Sequence, residues 1–85
     1  MEIAGKKAVI VGGASGMARA TAELLAKKGA SVAILDLPTS AGAEVADSLG
    51  GVFEPVNVMD DDATEAALAS AVSQIGGLHI GVLSG

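Results

Sequence analysis

The sequence predicts an α/β fold built on a parallel sheet, and two patterns support that prediction. Short β-branched runs, such as residues 7–12 and 30–35, alternate with longer segments of helical periodicity. Glycines stand where those helical segments end, at Gly29, Gly50-Gly51 and Gly76-Gly77. Strands that alternate with helices in this way indicate successive βαβ units, and the sheet of such units is parallel.

Seven elements are expected, in the order β-α-β-α-β-α-β. The strands are predicted at 7–12, 30–35, 52–58 and 78–83, and the helices at 17–28, 41–49 and 61–75. Pro55 suits an edge strand, because proline donates no ladder hydrogen bond. Three acids, Asp60 to Asp62, open the third helix, where Asp62 and Glu65 form a capping-box-like pair. A helix cap is favoured there over a metal cluster.

The predicted strand order is 3-2-1-4, with helices on both faces of the sheet. Parallel crossovers are right-handed, so the first two helices should cover one face and the third helix the other. One alanine-rich helix cannot cover four strands, and the fourth strand is an open edge. We therefore expect residues 1–85 to be a single, incomplete domain that self-associates or needs a further C-terminal part.

Composition excludes several kinds of chemistry. The chain has no Cys, Tyr or Trp and one histidine, His79, which excludes thiolate catalysis, a tyrosine acid and a multi-histidine metal site. His79 is expected on the surface, away from any ligand. All five basic residues lie within the first 28 positions, and the net charge is −5, which argues against nucleic-acid binding. No signal peptide or membrane span is predicted, so the expected location is cytoplasmic.

The candidate site lies in the glycine-rich segment 12–16, which joins the first strand to the first helix. Small residues there allow a tight turn and a close approach of the backbone to a ligand, and the helix N-terminus attracts a pyrophosphate. The glycines are Gly12, Gly13 and Gly16, so the strict G-x-G-x-x-G spacing is absent. Met17 follows Gly16, which excludes a phosphate-binding loop of the G-K-S/T type. An ordinary tight turn is the competing interpretation.

Asp36 makes dinucleotide binding the favoured interpretation. It closes the second strand 24 residues after Gly12, near the offset at which an acid accepts hydrogen bonds from a ribose diol. A carboxylate there also repels the 2′-phosphate of NADP, so the predicted cofactor is NAD. A solvated acid at a strand end remains the alternative for Asp36 taken alone.

The loop and the strand ends together resemble the N-terminal part of the short-chain dehydrogenase/reductase family. The matching segments are Val11-Gly12-Gly13-Ala14-Ser15-Gly16-Met17-Ala18, Leu35-Asp36-Leu37-Pro38, Asn57-Val58 and Leu78-His79-Ile80-Gly81-Val82. The stretch Asp36-Leu37-Pro38-Thr39-Ser40 further resembles the type 2 3-hydroxyacyl-CoA dehydrogenase (17β-hydroxysteroid dehydrogenase type 10) branch. The resemblance implies a Rossmann-like half that binds NAD. In the parent enzyme, commonly a homotetramer, a hydride would pass between NAD and a secondary alcohol or ketone, such as a 3-hydroxyacyl-CoA or hydroxysteroid.

The resemblance also assigns roles to individual residues. The implied cofactor-binding residues are Gly12, Ser15, Gly16, Met17, Asp36, Leu37, Asn57 and Val58. No catalytic residue is assigned, because the family's catalytic Asn, Ser and Tyr-x-x-x-Lys would lie beyond residue 85. Two residues and one segment depart from the family pattern: Val11 replaces a threonine, Asn57 replaces an aspartate beside the adenine, and Leu83-Ser84-Gly85 replaces an Asn-Asn-Ala-Gly loop. A core position is the alternative for Met17.

Three other functions stay open at this point. The chain could be a non-catalytic dinucleotide-binding module, truncated or designed. It could be a fragment of a SAM-dependent methyltransferase, which also pairs a glycine loop with an acid after the second strand. The third is a structural fragment without a ligand. The methyltransferase alternative is disfavoured, because such a loop usually has an acid before its glycines and Val9-Ile10-Val11 contains none.

Overall fold

A computed structural model of the chain describes residues 2–12 and 16–83. The strands are β1 (Lys7–Val11), β2 (Ser31–Asp36), β3 (Val52–Pro55) and β4 (Ile80–Leu83), and the helices are α1 (Gly16–Lys27), α2 (Gly42–Ser48) and α3 (Asp61–Ile75). All strand pairs are parallel, in the order β3-β2-β1-β4. The predicted α/β fold and strand order are confirmed.

The two faces of the sheet carry different helices, as the handedness of the crossovers predicts. Side chains alternate along β2, so that neighbouring residues point to opposite faces. Ile34 belongs to a buried cluster with residues of α1 and α2, such as Ala22 and Val45. Leu35 belongs to a second cluster with α3 residues, such as Ala71. Both clusters are aliphatic, and they hold the three layers together by hydrophobic burial.

The face under α3 is covered less completely than the other face. An open groove of about 210 Å³ runs beside α3. Its lining is almost entirely apolar and consists of Val9, Val11, Leu68, Leu78, Gly81, Val82 and Leu83. Leu83 is 84% exposed and Leu78 is 47% exposed. A single helix therefore leaves the sheet uncovered toward β4, as the sequence predicts.

The third strand is shorter than predicted. It ends at Pro55 rather than Val58. Val56 N–H still donates to the Asp36 carbonyl at 2.8 Å, but Asn57 then forms a turn. Its side chain accepts from Met59 N–H at 3.0 Å, and its carbonyl accepts from Asp60 N–H at 3.0 Å. The local hydrogen bonds of an Asn side chain compete with strand pairing, which ends the ladder early.

Helix α3 begins with a different cap from the one predicted. Asp60 is the N-cap residue, and its carboxylate accepts from Ala63 N–H at 3.0 Å. Asp61 and Asp62 lie in the first turn. The capping-box pairing of Asp62 with Glu65 was therefore wrong, because the extended residue that can cap the helix lies two positions earlier. The prediction of a helix cap for this acidic run is confirmed.

The remaining boundaries differ from the predicted ones by one or two residues. Helix α1 ends at a left-handed glycine, Gly29 (φ 95°), and Ala30 N–H donates back to the Leu25 carbonyl at 3.0 Å. A left-handed glycine, Gly76 (φ 88°), also ends α3. Strand β4 begins at Ile80 rather than Leu78, although His79 N–H already donates to the Lys7 carbonyl at 2.8 Å. Within the described ranges, no helix combines the length and the apolar character needed to cross a membrane.

Candidate functional site

The carboxyl ends of the strands meet at one edge of the sheet, which we call the carboxyl edge. In an open parallel sheet, ligands bind outside this edge where the strand order reverses. Here the order reverses between β1 and β4, whose last residues, Val11 and Leu83, lie side by side in the ladder. Gly12 leaves β1 at this point with φ 80°, and its N–H donates to the Leu35 carbonyl at 2.7 Å. The chain therefore turns sharply at the place where a ligand is expected.

Helix α1 begins at this edge with Gly16. A side-chain carbon added there would meet no atom within 4 Å among the described residues, so Gly16 borders open space. Met17 is 86% exposed, which shows that it is not a core residue. The first turn contains no acidic residue. The unpaired N–H groups of a helix start favour a negatively charged group, and no carboxylate in this turn opposes it.

Asp36 ends β2, the strand next to β1. Its side chain accepts a hydrogen bond from Leu37 N–H at 2.8 Å. Asp36 is half-buried, whereas Leu37 is 46% exposed. The carboxylate is therefore held at the end of its strand, next to an exposed apolar side chain.

Asn57 and Val58 follow β3, the outer neighbour of β2. Pro55 is the register partner of Asp36, so the turn at Asn57 begins just beyond that carboxylate. Asn57 is exposed, Val58 is 46% exposed and Met59 is 86% exposed. This edge consequently carries exposed apolar side chains beside hydrogen-bonding groups. Flat heterocycles bind to surfaces of that mixed character.

The lysines lie at the opposite edge of the sheet. Lys6 and Lys7 stand at the start of β1, and Lys27 and Lys28 stand at the end of α1. Arg19 pairs with Glu23 on the exposed face of α1, at 3.7 Å. Among the described residues, no lysine is therefore available at the carboxyl edge to neutralise an additional phosphate on a ribose.

The structure brings most of the predicted site residues to one edge. Gly12, Gly16, Met17, Asp36, Leu37, Asn57 and Val58 all lie at the carboxyl edge or one turn beyond it. Ser15 lies outside the described residues, as does Ser84. Sequence reasoning missed Met59, which the turn at Asn57 exposes. The sequence contained a signal for this turn, because an Asn side chain often accepts a hydrogen bond from the backbone N–H two residues later and so forms an Asx turn.

His79 lies at the other edge, as predicted. It is exposed, and its Nδ1 accepts from Lys7 N–H at 3.0 Å. Sequence reasoning missed this contact, which closes the start of the β1–β4 ladder. In the described ranges, no group of three or more His, Asp or Glu side chains is arranged to hold a metal ion.

Comparisons with known proteins agree with this geometry. Residues 12–84 match the family described as enoyl-(acyl carrier protein) reductase. The chain is 51% identical over 76 residues to 3-hydroxyacyl-CoA dehydrogenase type-2 of Drosophila melanogaster, covering 87% of this chain and 30% of that protein. It is 44% identical over 82 residues to the human protein of the same name, covering 94% of this chain and 31% of that one. The chain belongs to the short-chain dehydrogenase/reductase family.

A solved structure of a short-chain reductase has the same architecture. 3-Ketoacyl-(acyl-carrier-protein) reductase from Brucella melitensis, complexed with NADH, superposes with a TM-score of 0.83 at 34% identity. The alignment covers 93% of this chain and 34% of that chain. The present chain therefore spans about a third of the length of the short-chain dehydrogenases that it matches.

The residues present fit the dinucleotide of a short-chain dehydrogenase. A positive helix end at Gly16 suits a pyrophosphate, and a carboxylate at the end of β2 suits a ribose diol. The exposed apolar side chains of Leu37 and Val58 suit the faces of a base. The chain is thus a Rossmann-like segment of an oxidoreductase family that includes a reductase solved in complex with NADH.

Proposed function

We propose that this chain is the NAD-binding segment of an oxidoreductase that moves a hydride between NAD and a secondary alcohol or ketone. One observation supports this most strongly. Asp36 ends β2 at the same edge of the sheet where Gly12 follows β1 and Gly16 begins α1, and β1 and β2 are neighbouring strands. A bound NAD would supply the hydride acceptor, and the residues described here would bind and orient it.

Each predicted site residue has a proposed role. Gly12, Ser15, Gly16 and Met17 would surround the pyrophosphate and the adenosine ribose, and Gly16 has no side chain to block the approach. Asp36 would accept hydrogen bonds from the ribose diol, with Leu37 beside it. Asn57 and Val58 would contact the adenine base. The Asp36–Leu37 hydrogen bond of 2.8 Å fixes the carboxylate before the ligand arrives, which lowers the cost of ordering it on binding.

The decisive test is a calorimetric titration of the chain with NAD and NADP, with SAM and ATP as controls. We expect NAD to bind more tightly than NADP, because Asp36 accepts from a diol and repels a phosphate. Asp36→Asn should weaken NAD binding by about 10- to 100-fold, which is the cost of one hydrogen bond to a charged group. It should also reduce the preference for NAD over NADP. Asp47→Asn removes an exposed carboxylate from α2 and serves as the control. Equal affinity for NAD and NADP in the unmutated chain would refute the assignment.

The substrate proposal rests on the relatives. Two of them are dehydrogenases of 3-hydroxyacyl-CoA, so a 3-hydroxyacyl thioester is the proposed substrate class for the parent enzyme, with a hydroxysteroid as the second candidate. We propose that the 85 residues alone bind NAD without turning over an alcohol. General acid–base catalysis needs a group of suitable pKa beside the reacting oxygen, and the chain has no tyrosine. Steady-state formation of NADH by the pure chain would contradict this proposal.

A non-catalytic dinucleotide-binding module is the second candidate function, and the same titration separates it from the methyltransferase alternative. Binding of NAD with no effect of SAM is the expected result. The proposed partner is a second copy of the chain or a further C-terminal part. The parent enzyme is expected to be homotetrameric, as is common in its family. The cytoplasmic location stays a prediction.

A further inference from the structure

The two edge strands of the sheet differ in how well they are protected against pairing with another strand. The strand order leaves β3 and β4 at the edges, and each pairs with one neighbour among the described residues. β3 contains Glu54 and ends at Pro55. A charge and a proline are features by which proteins prevent edge strands from pairing. β4 has the sequence Ile-Gly-Val-Leu, without a charge or a proline, and is therefore the edge that is open to a further strand.

The surface beside β4 is apolar and contains a gap. Alternate side chains of a strand point to opposite faces. Ile80 and Val82 pack against the core cluster on the face that α1 and α2 cover. Gly81 and Leu83 line the groove on the α3 face. A side-chain carbon added at Gly81 would meet no atom within 4 Å among the described residues, so open space lies next to the exposed Leu83 side chain.

The charges of the molecule favour an antiparallel arrangement of two copies. Four basic residues lie at the edge where the strands begin: Lys6, Lys7, Lys27 and Lys28. Three acidic residues lie at the carboxyl edge, around the start of α3: Asp60, Asp61 and Asp62. Antiparallel pairing through β4 places the basic edge of each copy beside the acidic edge of the other, whereas parallel pairing places like charges side by side. Such complementarity selects the orientation in which two surfaces associate.

We propose that β4 pairs antiparallel with β4 of a second copy of this chain, about a twofold axis beside Val82. The inference concerns assembly and does not depend on the proposed NAD function. Residues that lie opposite each other in an antiparallel pair share a face, so Leu83 of each copy lies opposite Gly81 of the other on the α3 face. Each leucine then fills the gap at Gly81, and part of the apolar groove is removed from water.

Other registers leave the gap open. A shift by two residues in one direction places Leu83 opposite Leu83, and a shift in the other direction places Gly81 opposite Gly81. Only the register centred on Val82 sets the exposed leucine against the glycine. The contact is the same on both copies, so it is self-complementary and ends at a dimer.

Introduced cysteines test the pairing without a background, because the chain contains no cysteine. In the proposed register Val82 lies opposite itself, with the two Cβ atoms about 4.5–5.5 Å apart. A disulfide spans about 3.5–4.5 Å between Cβ atoms, so a small adjustment joins them. We expect Val82→Cys to give the disulfide-linked dimer as its main product in an oxidising buffer. Val52→Cys, at a half-buried valine of the other edge strand, is the matched control and should stay mainly monomeric.

An equal mixture of Leu83→Cys and Gly81→Cys chains tests the register. Random pairing would give as much heterodisulfide as the two homodisulfides together. We expect at least about threefold more heterodisulfide than that, because directly opposite positions are within reach, whereas diagonal ones are about 7–8 Å apart. An excess of either homodisulfide overturns the proposed register.

Sedimentation velocity of the unmutated chain over a concentration series measures association without any substitution. We expect an equilibrium between monomer and dimer, with no larger species, because the pairing occupies β4 of both copies. A chain that stays monomeric throughout the series, or a Val82→Cys dimer yield no greater than that of Val52→Cys, overturns the proposal and leaves the groove to a further C-terminal part. Larger species in place of the dimer overturn it as well. None of these measurements uses NAD, so their failure leaves the proposed NAD function standing.

Discussion

The two edges of the sheet differ in how their polar groups are used. The strands begin at the edge opposite the carboxyl edge, which we call the amino edge. There, side chains join elements that are far apart in sequence. Lys7 N–H donates to His79, 72 residues away, and the Lys7 ammonium lies 3.4 Å from the Ser31 hydroxyl. At the carboxyl edge, the hydrogen bonds that side chains make are local. Asp36 bonds to the next residue, and Asn57 bonds to the second residue after it.

This difference shows which edge holds the fold together and which is available to a ligand. Contacts between distant elements close the amino edge, and glycine caps end α1 and α3 there. Local contacts at the carboxyl edge orient the side chains of Asp36 and Asn57. Apolar groups such as Met17 and Met59 stay exposed there. Residues of the amino edge should therefore affect stability, whereas those of the carboxyl edge should mainly affect binding.

The largest loss of stability is expected from Gly51→Ala, at the amino edge. A side-chain carbon at Gly51 would overlap the backbone carbonyl oxygen of Val32 in β2, which cannot move without disturbing the ladder. We expect the free energy of unfolding to fall by about 1–3 kcal/mol, as is typical of overpacking. Chemical denaturation measures it. The control is Gly81→Ala, whose added carbon meets nothing within 4 Å, and equal stability of the two variants would contradict the expectation.

Asp60→Ala tests whether the local contacts of the carboxyl edge contribute to stability. Asp60 caps α3 by accepting from Ala63 N–H at 3.0 Å, so its loss should cost about 1 kcal/mol. Asp61→Ala removes a similar charge from the first turn without removing the cap, and should cost less than half as much. Thermal unfolding of both variants gives the comparison. A larger loss for Asp61→Ala would show that charge, rather than the cap, stabilises this helix start.

The fold could be predicted well from the sequence, because the periodic spacing of apolar residues and the glycines at helix ends are local signals. The alternation along β2 and the glycines after α1 and α3 were sufficient to predict strands, helices and, with crossover handedness, the faces that the helices cover. The hydrogen bond between His79 and Lys7 was not predictable in this way, since it depends on how β4 registers against β1.

The largest boundary error lies at the end of β3, which stops at Pro55 rather than at Val58. Val56 and Val58 continue a β-branched alternation that is typical of a strand, but the Asn57 side chain satisfies the backbone of Met59 instead. Helix α3 starts at Asp61 as predicted, but its cap is Asp60 rather than the predicted pair of Asp62 and Glu65. At the site, the positions of Asp36 and Gly16 could be predicted from their spacing in the sequence. The orientation of the Asn57 amide could not, because it depends on the turn that the structure shows after β3.

His79→Ala should have a smaller effect on global stability than Asp60→Ala. The bond from Lys7 N–H is exposed, so water can replace the imidazole, and we expect a loss of about 0.5 kcal/mol. The local effect should be clearer, because the Lys7 amide loses its partner. Hydrogen exchange of that amide should become faster, while the amide of Gly12, at the other edge, should keep its rate. Unchanged exchange at Lys7 would show that the histidine contact does not hold this edge.

The smallest effect on stability, and a distinct effect on association, is expected from Leu83→Lys. Leu83 is 84% exposed at the carboxyl end of β4, so its replacement should change the free energy of unfolding by less than about 0.5 kcal/mol. It also lines the apolar groove beside α3, and exposed apolar surface of this kind promotes association. We therefore expect Leu83→Lys to shift the chain toward monomer in sedimentation velocity. Leu24→Lys makes the same charge change at a 53% exposed position on α1, which does not line the groove, and should leave the distribution unchanged. If both variants shift it equally, net charge rather than the groove controls association, and the incomplete cover of the α3 face has no consequence for assembly.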